Sequence, residues 1–429
     1  MVVGSKWGMY CILVNALVGA GILTLPKAFQ AGGLLVSFVC LLIIALVNWL
    51  IHRELLEITE ELSLSNSSDQ HLLDEDRLLK SPYQWELPEI VRQIMGPMAY
   101  AFYFFFFAAY VVTQVATYIS LFGQAMCGIF GYNFASEMPD KCGYVYPIGM
   151  FVFTAGICVL ATLDYMKQMW AHRAMAAAQF LFTVLIVIFS FTQKSNPHYS
   201  LYNPGTSFSD FLYTVKVIVF ACAYQICIPS VLAASAKHHT SQIQVAYWMF
   251  VSAMVMYGTV GCVAGMLLNL DQSNISLSFK PSSELPSTLI SVIIGIPAID
   301  LIFNSPIYSQ SLSSSVFTAL YGPDHKSGRT LYPWAHLLLR VGCVLPSLLV
   351  AFLIQVEVVS YEKVAQVCGS CVVMVIMIFI PLCYNLRRPS TKTLNLRVKL
   401  SGLTFINYAI AGMSALLFLA VVLEGQFSS

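Results

Sequence analysis

Long apolar stretches alternate with short polar connections from one end of the chain to the other. A helix that crosses a bilayer needs roughly 20 predominantly apolar residues, and windows of that kind recur eleven times here. The predicted spans are residues 7–29, 34–51, 97–127, 146–163, 174–191, 208–234, 245–268, 285–320, 334–354, 364–384 and 403–423. The pattern predicts an all-α polytopic membrane protein with about eleven transmembrane helices in a single domain over residues 1–429.

Composition agrees with this class of protein. Hydrophobic residues make up 58% of the chain and charged residues 10%, whereas soluble domains carry roughly 25% charged residues. The net charge is +1 and no basic tract is interleaved with aromatic residues, so nucleic acid is not an expected partner. The predicted helices are expected to be surrounded by membrane lipid.

Lysine and arginine are concentrated in alternate connections, which predicts orientation. With a cytoplasmic N-terminus, the opposite face carries only Lys141, Lys194, Lys280 and Lys363. On that opposite face, Asn274 lies in an Asn-Ile-Ser sequon and is the predicted glycosylation site. Cys127 and Cys142 flank another connection on the same face and are a candidate disulfide.

The longest polar connection, residues 53–96, is a predicted cytoplasmic loop between the second and third helices. Its first half is acidic and is expected to be flexible, and residues 85–91 are expected to form a helix on the membrane surface. Asp74, Leu78 and Leu79 fit an acidic dileucine sorting pattern. The loop is therefore a candidate adaptor-binding segment, with endosomes, lysosomes or the plasma membrane as the predicted location.

The first span carries residues that weaken a helix. Gly19, Gly21 and Pro26 all lie in or beside its apolar run, and irregular backbone at membrane depth is tolerated only next to protein or water. The sequence therefore predicts a discontinuous helix with backbone groups exposed near the midplane. The alternative is that Gly19 and Gly21 only permit close approach of another helix.

The same stretch resembles a known family. Asn-Ala-x-x-Gly-x-Gly-Ile-Leu-x-Leu-Pro, from Asn15 to Pro26, is similar to the first-helix motif of the amino acid/auxin permease family. The segments at Gln225–Ser230 and Thr330–Trp334 resemble one orphan branch of that family. The resemblance implies a five-plus-five inverted repeat with breaks in helices 1 and 6, and secondary transport coupled to Na⁺ or H⁺ without any other cofactor.

The resemblance also implies a site for an amino acid or a similar small organic solute. The substrate carboxylate would meet residues of the first break, namely Val18, Gly19, Ala20 and Gly21. The ammonium group would meet residues of the sixth span, namely Ala221, Tyr224 and Gln225, and Gln114 of the third span is a candidate pocket-lining residue. In the sixth span the break is argued from Pro229, and a simple proline kink with Gln225 bonded to a neighbouring helix is the alternative.

Ion coupling is assigned to the first and eighth spans. Asp300 lies about midway along its span, where a carboxyl group is costly and therefore a functional candidate. Its alternatives are a pairing with Lys216 or Arg340, or a position beside an aqueous vestibule. Asn15 matches the family's cation-ligand asparagine, and the further eighth-span candidates are Asn304, Ser305 and Ser309.

Several classes of function are not supported by the sequence. All eight histidines fall in predicted connections or at span ends, and no hydrolase, metalloprotease or nucleotide-binding motif occurs. The expectation is a protein that is not an enzyme and binds no metal beyond a coupling Na⁺. The two alternatives to a transporter are a transporter-shaped nutrient sensor and a membrane scaffold that does not transport.

Overall fold

A computed structural model describes residues 6–19, 21–69, 86–134, 144–161, 169–192, 207–228, 239–268, 270, 275, 286–321, 333–356, 358–359, 361–386, 407–416 and 418. Regular structure in these ranges is entirely helical. The helices are α1 (Lys6–Val18), α2 (Gly21–Gly32), α3 (Leu34–Asp69), α4 (Leu87–Met95), α5 (Pro97–Phe134), α6 (Val145–Ala161), α7 (Met169–Thr192), α8 (Phe208–Ala221), α9 (His239–Leu267), α10 (Ser287–Tyr321), α11 (Pro333–Gln355), α12 (Tyr361–Val372) and α13 (Phe379–Leu386). A 3₁₀ turn follows α8 at Gln225–Cys227, a π-helical segment (Val373–Ile378) joins α12 to α13, and residues 407–416 are also helical.

The predicted polytopic helical fold is confirmed. Within the described residues, seven helices are long and apolar enough to cross a membrane, and α1 with α2 makes an eighth span bent by 44°. A shorter apolar helix, Val145–Leu160, matches the fourth predicted span. The sixth predicted span corresponds to α8 with its 3₁₀ turn, and the eleventh to the helix at 407–416.

Large apolar side chains cover the outside of the helix bundle. Examples on different helices are Leu46, Phe105, Phe151 and Leu349, all of which are exposed. Exposed apolar surface of this extent marks contact with another apolar phase. In a bundle of membrane-length helices that phase is the lipid.

Helix α5 lies at the centre of one half of the bundle, where it packs against α6, α10, α11 and α12. In the other half α2 packs against both α8 and α9. Between α2 and α3 the chain turns at Gly33, whose φ of 77° lies in the left-handed region that glycine adopts without steric cost.

The contact between α2 and α9 combines close packing with end capping. A Cβ on Gly261 of α9 would lie 2.9 Å from the ring of Phe29, and one on Gly265 would lie 3.2 Å from Phe29 Cβ.

At the end of α9, Gln30 Nε2 donates to the Leu268 carbonyl at 2.5 Å. Lys27 Nζ donates to the carbonyl of Leu270, also at 2.5 Å. Gln30 Nε2 also donates to the Gly265 carbonyl at 3.2 Å. Two side chains of α2 therefore satisfy one carbonyl in the last turn of α9 and two carbonyls just beyond its end.

The connection at 53–96 differs from its prediction. Residues expected to begin a flexible loop continue α3 as helix to Asp69. Helix α4 forms close to the predicted position, but it packs against α5 and α13 with Leu87, Ile90 and Val91 fully buried. Its apolar side therefore faces the protein rather than the membrane surface.

Some of the sequence-based predictions lie beyond the described residues. These are the sorting residues Asp74, Leu78 and Leu79 and the sequon residue Asn274. Cys127 is disulfide-bonded, while Cys142 lies outside the described ranges. The pairing of these two cysteines stays a prediction.

Candidate functional site

The first span is interrupted where the glycines predicted it. Helix α1 ends at Val18 and α2 begins at Gly21, with Ala20 outside the described residues. The last helical bond joins Gly19 N to the Asn15 carbonyl at 3.2 Å. The carbonyl end of one short helix therefore meets the N–H end of the next, which is the arrangement predicted for substrate binding.

The sixth span is also interrupted. Helix α8 ends at Ala221, and Cys222, Ala223 and Tyr224 are not α-helical before the 3₁₀ turn begins at Gln225. The break thus begins upstream of Pro229, the residue on which the prediction rested and which lies outside the described ranges.

The two breaks touch each other. A Cβ built on Gly21 would lie 2.5 Å from both Cα and Cβ of Ala221, far closer than carbon atoms can approach. Gly21 is therefore required for close contact and also lies at a break, so close approach is not its only role. On the other side of the break, a Cβ on Gly19 would lie 3.3 Å from the Tyr118 hydroxyl and 3.7 Å from Asn304 Nδ2.

Five polar side chains from α1, α7 and α10 form a group that we call the coupling cluster: Asn15, His172, Gln179, Asp300 and Asn304. Each is at most 4% exposed. Asn15 Nδ2 donates to Asn304 Oδ1 at 2.9 Å and lies 3.1 Å from His172 Nδ1. Gln179 Nε2 donates to Asn15 Oδ1 at 3.1 Å and to Asp300 Oδ2 at 2.9 Å. Asn304 Nδ2 donates to the Asn15 carbonyl at 2.9 Å and to Asp300 Oδ2 at 3.1 Å.

The amide protons of this cluster are fully used. Three amide groups supply two N–H donors each, and each donor has one of the acceptors just described. Since Asn15 Nδ2 is the donor, His172 Nδ1 is the acceptor and its ring proton sits on Nε2. Three buried atoms of the cluster have no hydrogen-bond partner within the described part of the chain, namely His172 Nε2, Gln179 Oε1 and Asp300 Oδ1.

These contacts define what the cluster can do chemically. Both hydrogen bonds to Asp300 Oδ2 come from neutral amides, of Gln179 and Asn304. Neutral amides orient a carboxyl group but do not cancel its charge, and a carboxylate inside a membrane is costly unless it is compensated. Among the described residues, Asp300 Oδ1 is thus an unpaired carboxyl oxygen that can hold a proton, and Gln179 Oε1 is an unpaired amide oxygen that can contribute to coordination of a small cation.

A second polar group holds the sixth-span break against α3. Gln225 Nε2 donates to Asn48 Oδ1, and Gln225 Oε1 accepts from Tyr224 N at 3.0 Å. His52 Nδ1 is hydrogen-bonded to the Tyr224 hydroxyl, and the two rings stack with centroids 5.7 Å apart. Gln225 is therefore bonded to a neighbouring helix, as the alternative predicted, and the backbone is broken as well.

The other predicted residues have different partners. Gln114 Oε1 accepts a hydrogen bond from Cys368 Sγ at 3.1 Å, which links α5 to α12. Ser305 and Ser309 donate to carbonyls of their own helix, at 2.7 and 3.1 Å. The structure therefore does not bring these two hydroxyl groups into the coupling cluster.

Four residues of the two polar groups were not singled out from the sequence: Asn48, His52, His172 and Gln179. His52 was placed at a span end, yet α3 continues well past it and it is only 2% exposed. His172 was placed in a connection, but it lies in the first turn of α7 and is completely buried. Single polar residues inside apolar windows were the available signal for Asn48 and Gln179.

Comparison with known proteins agrees with this architecture. The family model described as transmembrane amino acid transporter protein matches residues 3–424. Transmembrane protein 104 of Homo sapiens and that of Pongo abelii are each 22% identical to the chain over 414 residues, covering 81% of this chain and 82% of theirs. They represent the orphan branch that the later motifs resemble. The chain belongs to the family of transmembrane amino acid transporter proteins.

Proposed function

We propose that the chain is a secondary active transporter of amino acids or similar small organic solutes, working by alternating access and coupled to H⁺ or Na⁺. One observation carries the proposal, and it concerns Asn15. Its carbonyl accepts from Gly19 N at the edge of the first break and from Asn304 Nδ2, while its side chain bonds to Gln179. A single residue thus joins the break to the coupling cluster.

Substrate binding is proposed at the two breaks. Helix α2 begins at Gly21, so its first N–H groups and the positive end of its dipole suit a carboxylate. Helix α8 ends at Ala221, so its last carbonyls and the negative end of its dipole suit an ammonium group. In an amino acid the carboxylate and the ammonium group are attached to the same carbon atom. The contact between Gly21 and Ala221 brings the two helix ends next to each other, which suits a ligand whose two charged groups are that close.

Ion coupling is proposed at Asp300. Its free Oδ1 atom and the free Gln179 Oε1 offer oxygen atoms without competing N–H donors. A proton needs one such atom, while Na⁺ needs a fuller shell of oxygen ligands completed by other groups. The small number of free oxygen atoms favours H⁺, and Na⁺ is the alternative that the experiment tests.

The test is counterflow of a radiolabelled amino-acid mixture into proteoliposomes containing the purified full-length protein. Uptake is measured with and without Na⁺ and at two pH values, beside the Gly21→Val variant. We expect uptake by the wild-type protein and none by the variant. Absence of uptake by folded wild-type protein contradicts transport.

A nutrient sensor is the second candidate, and one contact favours it. Ser311 Oγ of α10 donates to Glu86 Oε2 at 2.7 Å, and both side chains are buried. This bond ties the end of the 53–96 connection to the helix that carries Asp300. If the chain is a sensor, the amino-acid mixture should change protease cleavage within 53–96 without flux, and Glu86→Gln should weaken that change. Flux with unchanged cleavage supports transport alone.

A further inference from the structure

Tyr257 of α9 lies between the two breaks. Its hydroxyl is hydrogen-bonded to the Leu17 carbonyl at the end of α1 and, at 2.7 Å, to the Ala221 carbonyl at the end of α8. The side chain is fully buried, and a Cβ on Gly21 would lie 3.1 Å from its oxygen. One side chain from a third span therefore contacts both interrupted helices and the glycine between them.

The two carbonyls are acceptors that the breaks leave without helical partners. In a continuous α-helix, the carbonyl of Leu17 would accept from the N–H of residue 21, and that of Ala221 from the N–H of residue 225. Helices α1 and α8 both end before these bonds form. The Tyr257 hydroxyl stands in for both missing donors.

This substitution is incomplete because a phenol has a single O–H donor. Two carbonyl oxygens share one proton, and both belong to the negative ends of helix dipoles. A group with several N–H donors or a positive charge would satisfy the pair better. A ligand with several donors can therefore replace the Tyr257 hydroxyl at these two carbonyls.

We propose that Tyr257 is an internal competitor of the substrate: its hydroxyl clasps the carbonyl ends of α1 and α8 while the site is empty, and the bound substrate displaces it. The inference rests on the proposed function for the displacement step only. Tyr257 is a positioning residue that sets the starting separation of the two breaks and lowers the apparent affinity for substrate.

The test uses a cysteine that the break already contains. Cys222 follows Ala221 directly and is free and buried. The rate at which a maleimide alkylates it in substrate-free proteoliposomes reports how often the breaks separate. The buried free Cys383 of α13 is the internal reference in the same peptide digest.

The variant is Tyr257→Phe, which removes one oxygen atom and retains the ring. The matched control is Tyr103→Phe in α5, which removes a hydroxyl that is equally buried but has no hydrogen-bond partner among the described residues. Elution on size exclusion and the unfolding temperature establish that all three proteins are folded. We expect Tyr257→Phe to label Cys222 about three- to tenfold faster, the factor set by one net hydrogen bond, and Tyr103→Phe to leave the rate unchanged.

Uptake of the radiolabelled amino-acid mixture then tests displacement. We expect Tyr257→Phe to lower the half-saturating concentration by a similar factor, because the competitor is gone. If Tyr257→Phe labels Cys222 at the wild-type rate, Tyr257 does not hold the two carbonyl ends together, whether or not the protein transports. A raised half-saturating concentration makes Tyr257 a substrate ligand and overturns the competition. If Tyr257→Phe labels Cys222 faster but the wild-type protein shows no uptake, the role of Tyr257 in holding the two carbonyl ends is supported and the proposed transport function is rejected.

Discussion

Gly21 and Ala221, two hundred residues apart in the chain, are in direct contact at the point where their helices are interrupted, and there is no room for a Cβ on Gly21. The contact joins the end of a helix pair from the first span to the end of α8 in the sixth span. Any side chain at position 21 must therefore push the two interrupted spans apart.

Replacement of Gly21 by valine should abolish uptake while sparing membrane insertion. Its Cβ would overlap Ala221 at 2.5 Å, so the breaks cannot keep their spacing, whereas the added atoms are apolar and suit a membrane span. Counterflow measures the first effect and extraction with the membrane fraction measures the second. Gly21→Ala should already lower uptake by at least about tenfold, since 1.4 kcal/mol of misplacement is enough.

Gly342→Val in α11 is the matched control, because a Cβ there meets no heavy atom within 4 Å. Since no clash with any described residue is introduced, this variant should retain uptake close to the wild-type level. If Gly21→Ala retains full uptake, the close contact between the two breaks is not needed for transport.

Replacement of Asp300 by asparagine should remove the dependence of uptake on the coupling ion. Asparagine retains an oxygen acceptor for Gln179 and Asn304 but can neither bind a proton at neutral pH nor carry a negative charge. Uptake would then become equal at two pH values if H⁺ is the coupling ion, or independent of Na⁺ if Na⁺ is. Asp210→Asn, the same change in the capping box at the start of α8, should leave the dependence as it is. A variant Asp300→Asn with a wild-type pH and Na⁺ response would exclude this carboxyl from coupling.

Replacement of Gln179 by alanine should weaken both stability and coupling. The change removes the Gln179 donor from Asn15 Oδ1 and one of the two donors from Asp300 Oδ2, which keeps Asn304 Nδ2. An unsatisfied buried polar atom such as Asn15 Oδ1 costs about 1–3 kcal/mol. The unfolding temperature and the ion dependence of uptake should both change. Gln93→Ala on the exposed side of α4 is the control, and equal unfolding temperatures in the two variants would argue against a structural role for Gln179.

Asn48 and Gln225 should be energetically coupled. Their side-chain hydrogen bond joins α3 to the sixth-span break, and residues that share a buried bond give interaction energies of about 0.5–3 kcal/mol in double-mutant cycles. The single variants to alanine and the double variant are compared by free energy of unfolding and by half-saturating substrate concentration. Additive effects in both measurements would show that the bond does not hold the break.

Orientation is tested by two sequons, the one at Asn274 and a second, Asn66-Ser67-Ser68, on the side that is predicted to be cytoplasmic. Asn274→Gln should remove a glycan that a glycosidase also removes, while Asn66→Gln should not change the mobility of the protein on a gel. The reason is that only the Asn274 side is predicted to be non-cytoplasmic, on the distribution of lysine and arginine. The opposite result would invert the predicted topology.

Residues with an energetic penalty in an apolar window could be found from the sequence. Gly19, Gly21 and Asp300 are costly where they stand, and each lies at a break or in the coupling cluster. Gln179 was missed because a neutral amide in a membrane helix costs little once it has a partner. Which partner it finds depends on how α1, α7 and α10 face one another, and hydropathy along the chain holds no information on that.

Helix ends were the other source of error. The second span was predicted to end at Ile51 and the fifth to begin at Ala174, while α3 runs to Asp69 and α7 starts at Met169. Apolar windows show where lipid contact ends, and a helix can continue beyond that point into polar surroundings. His52 and His172 lie just beyond the predicted ends, and for that reason they were assigned no role.

The capping of α9 by Lys27 and Gln30, together with the seating of Phe29 on Gly261 and Gly265, has a consequence for the transport cycle. Sliding α2 along α9 would break these bonds and move Phe29 off the two glycines, so we expect the two helices to move together in the proposed transport cycle. The expected hinge is the interval between Val18 and Gly21. Movement there also requires the Tyr257 hydroxyl to separate from the Leu17 carbonyl and the Tyr10 hydroxyl from Ser252 Oγ. Spin labels on α2 and α9 should report a constant distance through the cycle, while the distance from α1 to α2 changes.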